Sequence, residues 1–497
     1  MKNLAQLTIT EAIKMLRSGE TTSRAITEAC LKEITERNGE INAYLEVFED
    51  ALAQSDAADA RLKAGEGVDK KTGEMCLPLL GIPLAIKDNI LIKGRRAGAA
   101  SKILEGYIAP YNATAISKLI DQGAVFMGRT NMDEFAMGGS TENSAYGPTK
   151  NPHDLSRVSG GSSGGSVAAV AMHGCLAAIG SDTGGSVRQP ASFCGMVGLK
   201  PTYGNVSRHG LMAMGSSLDV IGPVAKSVED AKIIYDVIKG HCEMDSTSLP
   251  DILNEASNKN SQKGSPAKKM TLGIVPELMN MGGIDPGVSE NFKNTVEALK
   301  KMGHTIVDIS LPNIGHSLPV YYIVMPAEVS SNMARFDGMK FGQRVEGDNL
   351  LADYMNTRGQ LLGKEVRRRI ILGTYVLSAG YADAYYNKAQ SVRRLIAADF
   401  ERAFQTVEAI LTPTAPTPAF LIGEKSNDPL QMYLADIFTV TANLVGVPAM
   451  SVPTGEVAVT NADGSKANLP LGIQITAPHR GEEALFALGM DIEKLLK

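Results

Sequence analysis

Residues 159–190 constrain the fold more than any other stretch. Ser159-Gly-Gly-Ser-Ser-Gly-Gly-Ser166 runs directly into Val167-Ala-Ala-Val-Ala-Met172. After Cys175–Ile179 a second cluster follows, Gly180-Ser-Asp-Thr-Gly-Gly-Ser-Val-Arg-Gln-Pro190. A glycine–serine run standing alone reads as a flexible linker. Small apolar residues in an unbroken row belong in a core, and a linker does not normally plunge into one. Both clusters are therefore expected as loops at the ends of buried elements, where glycine lets backbone N–H groups approach a ligand closely. No run reaches the ~18 apolar residues of a membrane span, since the nearest, Val167–Ile179, is broken by His173 and Gly174.

Short apolar runs alternate with helical patterns on either side of this segment. Leu79–Leu80 with Pro83–Ile86, Ala124–Met127, Met270–Val275, Thr305–Ile309, Ala409–Leu411, Met450–Val452 and Leu471–Ile475 read as buried strands. Thr114–Gln122 and Gly287–Met302 read as helices. Three more helices are expected in the first 65 residues. The first is opened by the capping-box spacing Thr8-x-x-Glu11 and stopped by Gly19. The second runs from Ser23 to Asn38 with Ile26, Cys30 and Ile34 on one stripe, and the third from Glu46 to Lys63. The expectation is an α/β fold: a large central mixed β-sheet covered by helices on both faces, with an N-terminal helical layer (1–65) packed on a catalytic domain (66–497). The polar stretch from Ser246 to Lys269 is expected as an exposed, mobile connection.

Charge and cysteine usage narrow the function. With 49 basic and 54 acidic residues the chain carries a formal charge of −5, so nucleic acid would have to be held mainly by something else. Cys30, Cys76, Cys175, Cys194 and Cys242 are odd in number and scattered, which fits reduced thiols rather than a disulfide frame or a zinc site. The start, MKNLAQLTITEAIKML, has no apolar signal core, and a soluble, cytoplasmic protein is expected.

The glycine clusters match neither G-x-x-x-x-G-K-[ST] nor G-x-G-x-x-G, which removes a phosphate cradle. A Thr-Gly-Gly-Ser turn instead aims N–H donors at one point beside the Ser186 hydroxyl, the combination that acyl transfer requires. Ser162 and Ser163 each satisfy G-x-S-x-G, a match that the glycine density supplies for free. None of the later histidines sits in a motif, so the base comes from elsewhere. Lys87 is the candidate, ending the run Gly81-Ile-Pro-Leu-Ala-Ile86. Lysines at strand ends mostly snorkel to solvent. On a buried strand, however, desolvation lowers the amine from ~10.4 by several units, and ~3 units amounts to ~4 kcal/mol. A neutral lysine is a competent base for serine.

Gly81–Ile90, GGSSGGSVAAVA, GSDTGGSVRQPASFCGMVGLKPTYG and Asn131-Met-Asp-Glu-Phe-Ala-Met-Gly-Gly139 resemble the amidase signature family of serine hydrolases. The resemblance implies an amidase-signature fold and a Ser–Ser–Lys triad: Ser186 as nucleophile, Ser162 as bridging serine and Lys87 as base. It also implies a near-cis peptide bond between Ser162 and Ser163, and an oxyanion hole from the N–H groups of Thr183, Gly184, Gly185 and Ser186. Within the family, Ser330-Ser-Asn-Met-Ala-Arg-Phe-Asp-Gly338, Glu365-Val-Arg-Arg-Arg369, Ala384-Tyr-Tyr-Asn-Lys-Ala-Gln390 and Asp428-Pro-Leu-Gln-Met-Tyr433 are similar to the glutaminase subunits of tRNA-dependent amidotransferases. Val220 stands where those subunits commonly have glutamine.

That likeness implies glutamine as substrate and two protein partners. Ammonia is passed to a large kinase/transamidase B subunit, and a small C subunit is the second partner. The acceptor is glutamate on tRNA(Gln), with aspartate on tRNA(Asn) left open, and tRNA is contacted mainly through the partner. The chain itself is expected to need no cofactor or metal, ATP and Mg2+ being used by the partner, and to contact no membrane. Arg369 is assigned to the glutamine carboxylate, Asp436 to its ammonium and Tyr321 to a pocket hydroxyl; Arg367, Arg368 and Tyr322 remain alternatives to their neighbours. A free-standing amidase acting on small or aryl carboxamides is the other reading.

Overall fold

The computed structural model describes residues 3–67, 76–250, 269–280, 282–425, 429–461 and 464–496. Its strands, in chain order, are β1 (Tyr44–Val47), β2 (Pro83–Lys87), β3 (Val125–Thr130), β4 (Lys150–Asn151), β5 (Asp154–Val158), β6 (Ala177–Asp182) and β7 (Val197–Lys200). There follow β8 (Val220–Ala225), β9 (Thr271–Ile274), β10 (Thr305–Asp308), β11 (Ala409–Pro413), β12 (Ala449–Thr460) and β13 (Lys466–Thr476). Eleven of them form one sheet in the order β1-β3-β2-β6-β8-β7-β12-β13-β11-β9-β10, while β4 and β5 pair separately. The sheet is mixed. β2 lies parallel to both β3 and β6, and β9 parallel to β10 and β11, whereas β6–β8–β7–β12–β13–β11 pair antiparallel in turn. The central strands β2, β6 and β8 are buried at every position, so none alternates between apolar and polar residues; β8 is apolar throughout, while β2 and β6 are apolar until they end in Lys87 and Ser181-Asp182.

The N-terminal helices form as their caps dictate. Thr8 and Glu11 make the reciprocal capping box of the helix Ile9–Ser18, and Gly19 ends it in the left-handed conformation. Ser23–Ile41 follows. Ile9, Ala12, Ile26, Cys30 and Ile34 join Leu84, Ile86, Val167 and Ile179 in a single apolar cluster, which welds these helices to the sheet. Each isoleucine so buried contributes about 1.5–3 kcal/mol relative to exposure.

The third helix departs from expectation. Residues Tyr44–Val47 are an edge strand antiparallel to β3, and the helix begins only at Ala51. Glu46 is held by Arg129 of β3 at 2.7 Å, so a residue with good helix propensity is fixed in a strand by its tertiary partner. Leu79–Leu80 form a turn before β2 rather than part of it. Of the polar connection, residues 251–268 lie outside the described residues. No helix among the described residues is long and apolar enough to cross a membrane.

A second apolar cluster is built by the helices Ser317–Met333, Lys364–Leu377 and Lys388–Ala403. The first two approach closely at one point, where a Cβ on Gly373 would lie 1.8 Å from the Pro326 carbonyl oxygen. Only glycine permits that crossing, and it stacks the turn bearing Arg369 over the turn bearing Tyr321 and Tyr322.

Candidate active site

Lys87 is the last residue of β2 and Asp182 the last of β6. The two strands are parallel neighbours, with Ile86 paired to Ile179, so both ends open on the same edge of the sheet. The loop 183–187 leaves from that edge. Against it lies the loop 159–163, which enters the helix Gly164–Ala171, nearly all of which is buried. The glycine–serine clusters are therefore packed loops at the ends of core elements, as their sequence requires.

Lys87 is fully buried and ends among hydroxyls. Its Nζ lies 2.8 Å from Ser162 Oγ, 2.8 Å from Ser163 Oγ, 2.9 Å from Ser181 Oγ and 3.3 Å from the Ser181 carbonyl oxygen. Burial lowers the amine from 10.5 to about 7, against the pull of Asp133, Asp182 and Asp219, which favour the ammonium form. The neutral form is therefore accessible near neutral pH. A neutral amine has two protons to donate and one lone pair to accept with. Ser163 spends its own proton on the Ser181 carbonyl at 3.1 Å while its oxygen receives the Ser181 N–H at 3.3 Å. Ser162 has no such commitment, so its proton is the one free to face the lysine lone pair. Hydrogen bonding thereby separates two serines that the sequence motif treats alike.

Ser186 joins this group through the backbone, its carbonyl accepting from Ser163 N–H at 3.0 Å. It is 7% exposed where Lys87 and Ser162 are 0% exposed, so it is the member of the three that an incoming molecule reaches. The cis peptide bond lies between Gly161 and Ser162, one bond earlier than the resemblance implied. Gly161 is the crowded position, since a Cβ there would lie 2.2 Å from Asp133 Oδ2. Ser163 stands at the N-cap position of the helix that follows, with its hydroxyl turned to Ser181 instead of the helix.

The turn 182–187 is pinned on every side. Asp182 accepts from Gly185 N–H at 2.9 Å and Val187 N–H at 3.1 Å, and the fully buried Arg188 grips both of its oxygens. Burial alone would raise the Asp182 carboxyl, but Arg188 holds it well below the usual carboxylate range. Thr439 donates to the Gly184 carbonyl at 2.6 Å and Thr183 to Asp219 at 2.7 Å. The expected set of four N–H donors is narrowed by this arrangement: Gly185 N–H is turned into Asp182. The N–H groups of Thr183, Gly184 and Ser186 make no hydrogen bond to a described residue and remain available.

Tyr321 forms the next wall. A Cβ on Gly184 would lie 2.5 Å from the Tyr321 hydroxyl, so the ring packs directly on the turn. Tyr322 crosses Tyr321 edge-on at 5.0 Å and stacks on Tyr433 at 3.9 Å. Its hydroxyl donates to Asp436 Oδ2 at 3.2 Å, while the Arg369 guanidinium lies over the rings of Tyr322 and Tyr433. Of the three neighbouring arginines only Arg369 is buried; Arg367 is exposed and Arg368 half-buried. Burial pushes the Asp436 carboxyl up to about 7 although Arg369 and the Tyr322 hydroxyl favour its charge. Tyr321, Arg369 and Asp436 are thus gathered beside the turn, and both tyrosines belong to the gathering.

Four residues of this site escaped the sequence reading. Ser181 and Asn89 complete the hydroxyl cluster, Asn89 donating to Ser181 Oγ at 3.0 Å. Glu365 accepts from Arg369, and Tyr433 donates to Glu365 while its ring lies under the guanidinium. Asn89 lies two residues beyond Lys87 and Ser181 two before Thr183, so proximity to the chosen residues was the one signal available for these two.

An amidase family model matches residues 25–486 of this chain. The A subunit of glutamyl-tRNA(Gln) amidotransferase from Acidobacterium capsulatum is 50% identical over 491 residues, covering 98% of each chain. The crystal structure of the same-named protein from Thermotoga maritima superposes with a TM-score of 0.76 at 39% identity, over 98% of this chain and 94% of that one. A 6-aminohexanoate cyclic dimer hydrolase complexed with substrate superposes with a TM-score of 0.80 at 26% identity, over 99% and 97%. Architecture alone does not separate these activities, but the match across nearly the whole length establishes that the chain belongs to the amidase family.

Proposed function

We propose that this chain hydrolyses the side-chain amide of glutamine and passes the ammonia to a partner subunit that amidates glutamate on tRNA(Gln). One observation carries the reading. A buried amine with a pKa of about 7, bonded to Ser162, stands in one site with a guanidinium and a carboxylate on the same tyrosine, Arg369 over the Tyr322 ring and Asp436 at its hydroxyl, a pair that suits both charges of an amino acid. Half-identity over the full length to a protein named for that reaction supports it.

In the mechanism, neutral Lys87 takes the Ser162 proton as Ser162 takes that of Ser186, and Ser186 Oγ attacks the amide carbon of glutamine. Such hydrogen bonds commonly close only in the substrate complex. The uncommitted N–H groups of Thr183, Gly184 and Ser186 are the donors for the oxyanion, each such donor contributing about 3 kcal/mol to the transition state. The proton returns through Ser162 to the leaving nitrogen, the C–N bond breaks, and ammonia departs from a γ-glutamyl ester on Ser186. Water, activated by the same relay, attacks the ester and releases glutamate. Arg369 pairs with the substrate carboxylate, Asp436 with its ammonium, and Tyr321 closes the pocket against Gly184. ATP and Mg2+ belong to the partner, where they activate the acceptor carboxylate.

A free-standing amidase would share the relay and has no use for a paired receptor. The test is Arg369→Ala, assayed on glutamine and on a neutral small amide. The selectivity for glutamine, as a ratio of kcat/KM values, is expected to fall by about a hundredfold with loss of the buried charge-assisted pair. Equal losses on both substrates would contradict the glutamine reading.

A further inference from the structure

Arg369 and Asp436 have opposite charges, are both drawn out of bulk water, and contact the same ring. Left to themselves they would pair and close the space between them. They form no ion pair, although they lie near enough for Arg369 to favour the charged form of Asp436. The reason is that the guanidinium already has a carboxylate partner. Glu365, one helical turn before Arg369, accepts from its Nε at 2.8 Å, and the Tyr433 hydroxyl donates to that same Glu365 oxygen at 3.1 Å. The other Glu365 oxygen is taken by Arg368. On its outer edge Arg369 meets only a weak acceptor, Nη1 lying 3.5 Å from Met325 Sδ. Asp436 is restrained in its turn by the Tyr322 hydroxyl.

We infer that Glu365 is a positioning residue for substrate selection: it holds Arg369 by the Nε edge, away from Asp436, so that the outer edge stays open for a carboxylate. This rests on the glutamine reading above. An α-ammonium and an α-carboxylate are joined through one carbon, so their receptors must stand a fixed distance apart. Collapse of Arg369 onto Asp436 would remove both at once. Glu365 gives the arginine a permanent counter-charge whose geometry the helix sets, since residues four apart share one face.

The test is a double-mutant cycle on the full chain with the subunits it co-purifies with. The substrate is glutaramate, which is glutamine without its α-amino group and so has no need of Asp436. Glu365→Gln is expected to raise KM for glutaramate by about tenfold when Asp436 is present and by less than about twofold in an Asp436→Asn background, the coupling expected of residues that compete for one partner. Tyr433→Phe, which removes the hydroxyl from Glu365, is expected to shift KM in the same direction by a smaller factor and guards against a folding defect in Glu365→Gln. The same rise in both backgrounds, as for a purely structural role, would overturn the inference. A fall in KM would also overturn it, since Glu365 would then be competing with the substrate for Arg369. If Arg369→Ala itself leaves KM for glutamine unchanged, the glutamine reading fails instead, and the two failures are distinguishable.

Discussion

Replacing Lys87 with methionine should abolish amide hydrolysis and, near neutral pH, make the protein more stable. The side chains are similar in length, so packing is conserved while the ionisable group is removed. In the folded protein the amine titrates at about 7, against 10.5 when unfolded. The unfolded chain therefore binds a proton between these values that the folded chain rejects, and lysine's contribution to stability rises as pH rises through that window. At pH 7 the penalty works out at about 4 kcal/mol, and at pH 10 at about 1 kcal/mol, from ~1.4 kcal/mol per pKa unit. Methionine removes the penalty but leaves the Ser162 hydroxyl without its amine partner, which costs about 1–3 kcal/mol at any pH. The variant should therefore be about 1–3 kcal/mol more stable than wild type at pH 7 and lose about 3 kcal/mol of that advantage by pH 10. Urea unfolding of both proteins at the two pH values measures this. A stability difference that does not change between pH 7 and pH 10 would refute a depressed lysine, and with it the neutral-amine base.

Ser186→Ala should reduce glutamine hydrolysis by roughly a thousandfold or more, and Ser162→Ala by a similar factor, since members of one relay are not additive; Ser163→Ala, whose proton faces the Ser181 carbonyl, should cost far less. Initial rates with ammonia detection check all three. In the proposed mechanism both Lys87 and Asp436 act deprotonated, and both titrate at about 7. Below that pH, kcat/KM for glutamine should therefore fall with a slope of about two per pH unit, against about one for a neutral amide, with Asp436→Asn returning glutamine to the shallower slope. Gly185→Ala should disable the turn, because its φ of +132° suits glycine and the new methyl would lie 2.3 Å from Thr439 Oγ1. Loss of acylation by a serine-directed probe, with unfolding still cooperative, is the expected signature.

Much of the site was legible because its chemistry is local. Lys87 stood out as a charge at the end of a buried strand, and the glycine clusters as loops attached to apolar elements. The strand β1 was not legible, because Glu46 favours a helix until it is paired with Arg129 on the neighbouring strand β3. The start of the helix Pro286–Lys301 was missed by one residue even though Asp285-Pro286 is a strong N-cap and first-turn signal, and Asp285 does accept from Gly287 N–H at 2.8 Å. Ser181, Glu365 and Tyr433 lie within the stretches that carry the family resemblance, but nothing in those stretches assigned them a role. They matter through contacts across 94, 4 and 68 positions of sequence, respectively to Lys87, to Arg369 and from Tyr433 to Glu365. The choice among Arg367, Arg368 and Arg369 likewise depended on which side of the helix meets Tyr322, a fact that appears only when the helices cross at Gly373.

The central claim is that glutamine is cleaved through an ester on Ser186. Acid quench of the assembled enzyme during turnover with glutamine, followed by peptide mapping by mass, tests it most directly. The account predicts a γ-glutamyl adduct on the peptide carrying Ser186, absent from Ser186→Ala. An adduct on any other residue, or continued ammonia release by Ser186→Ala, would contradict it.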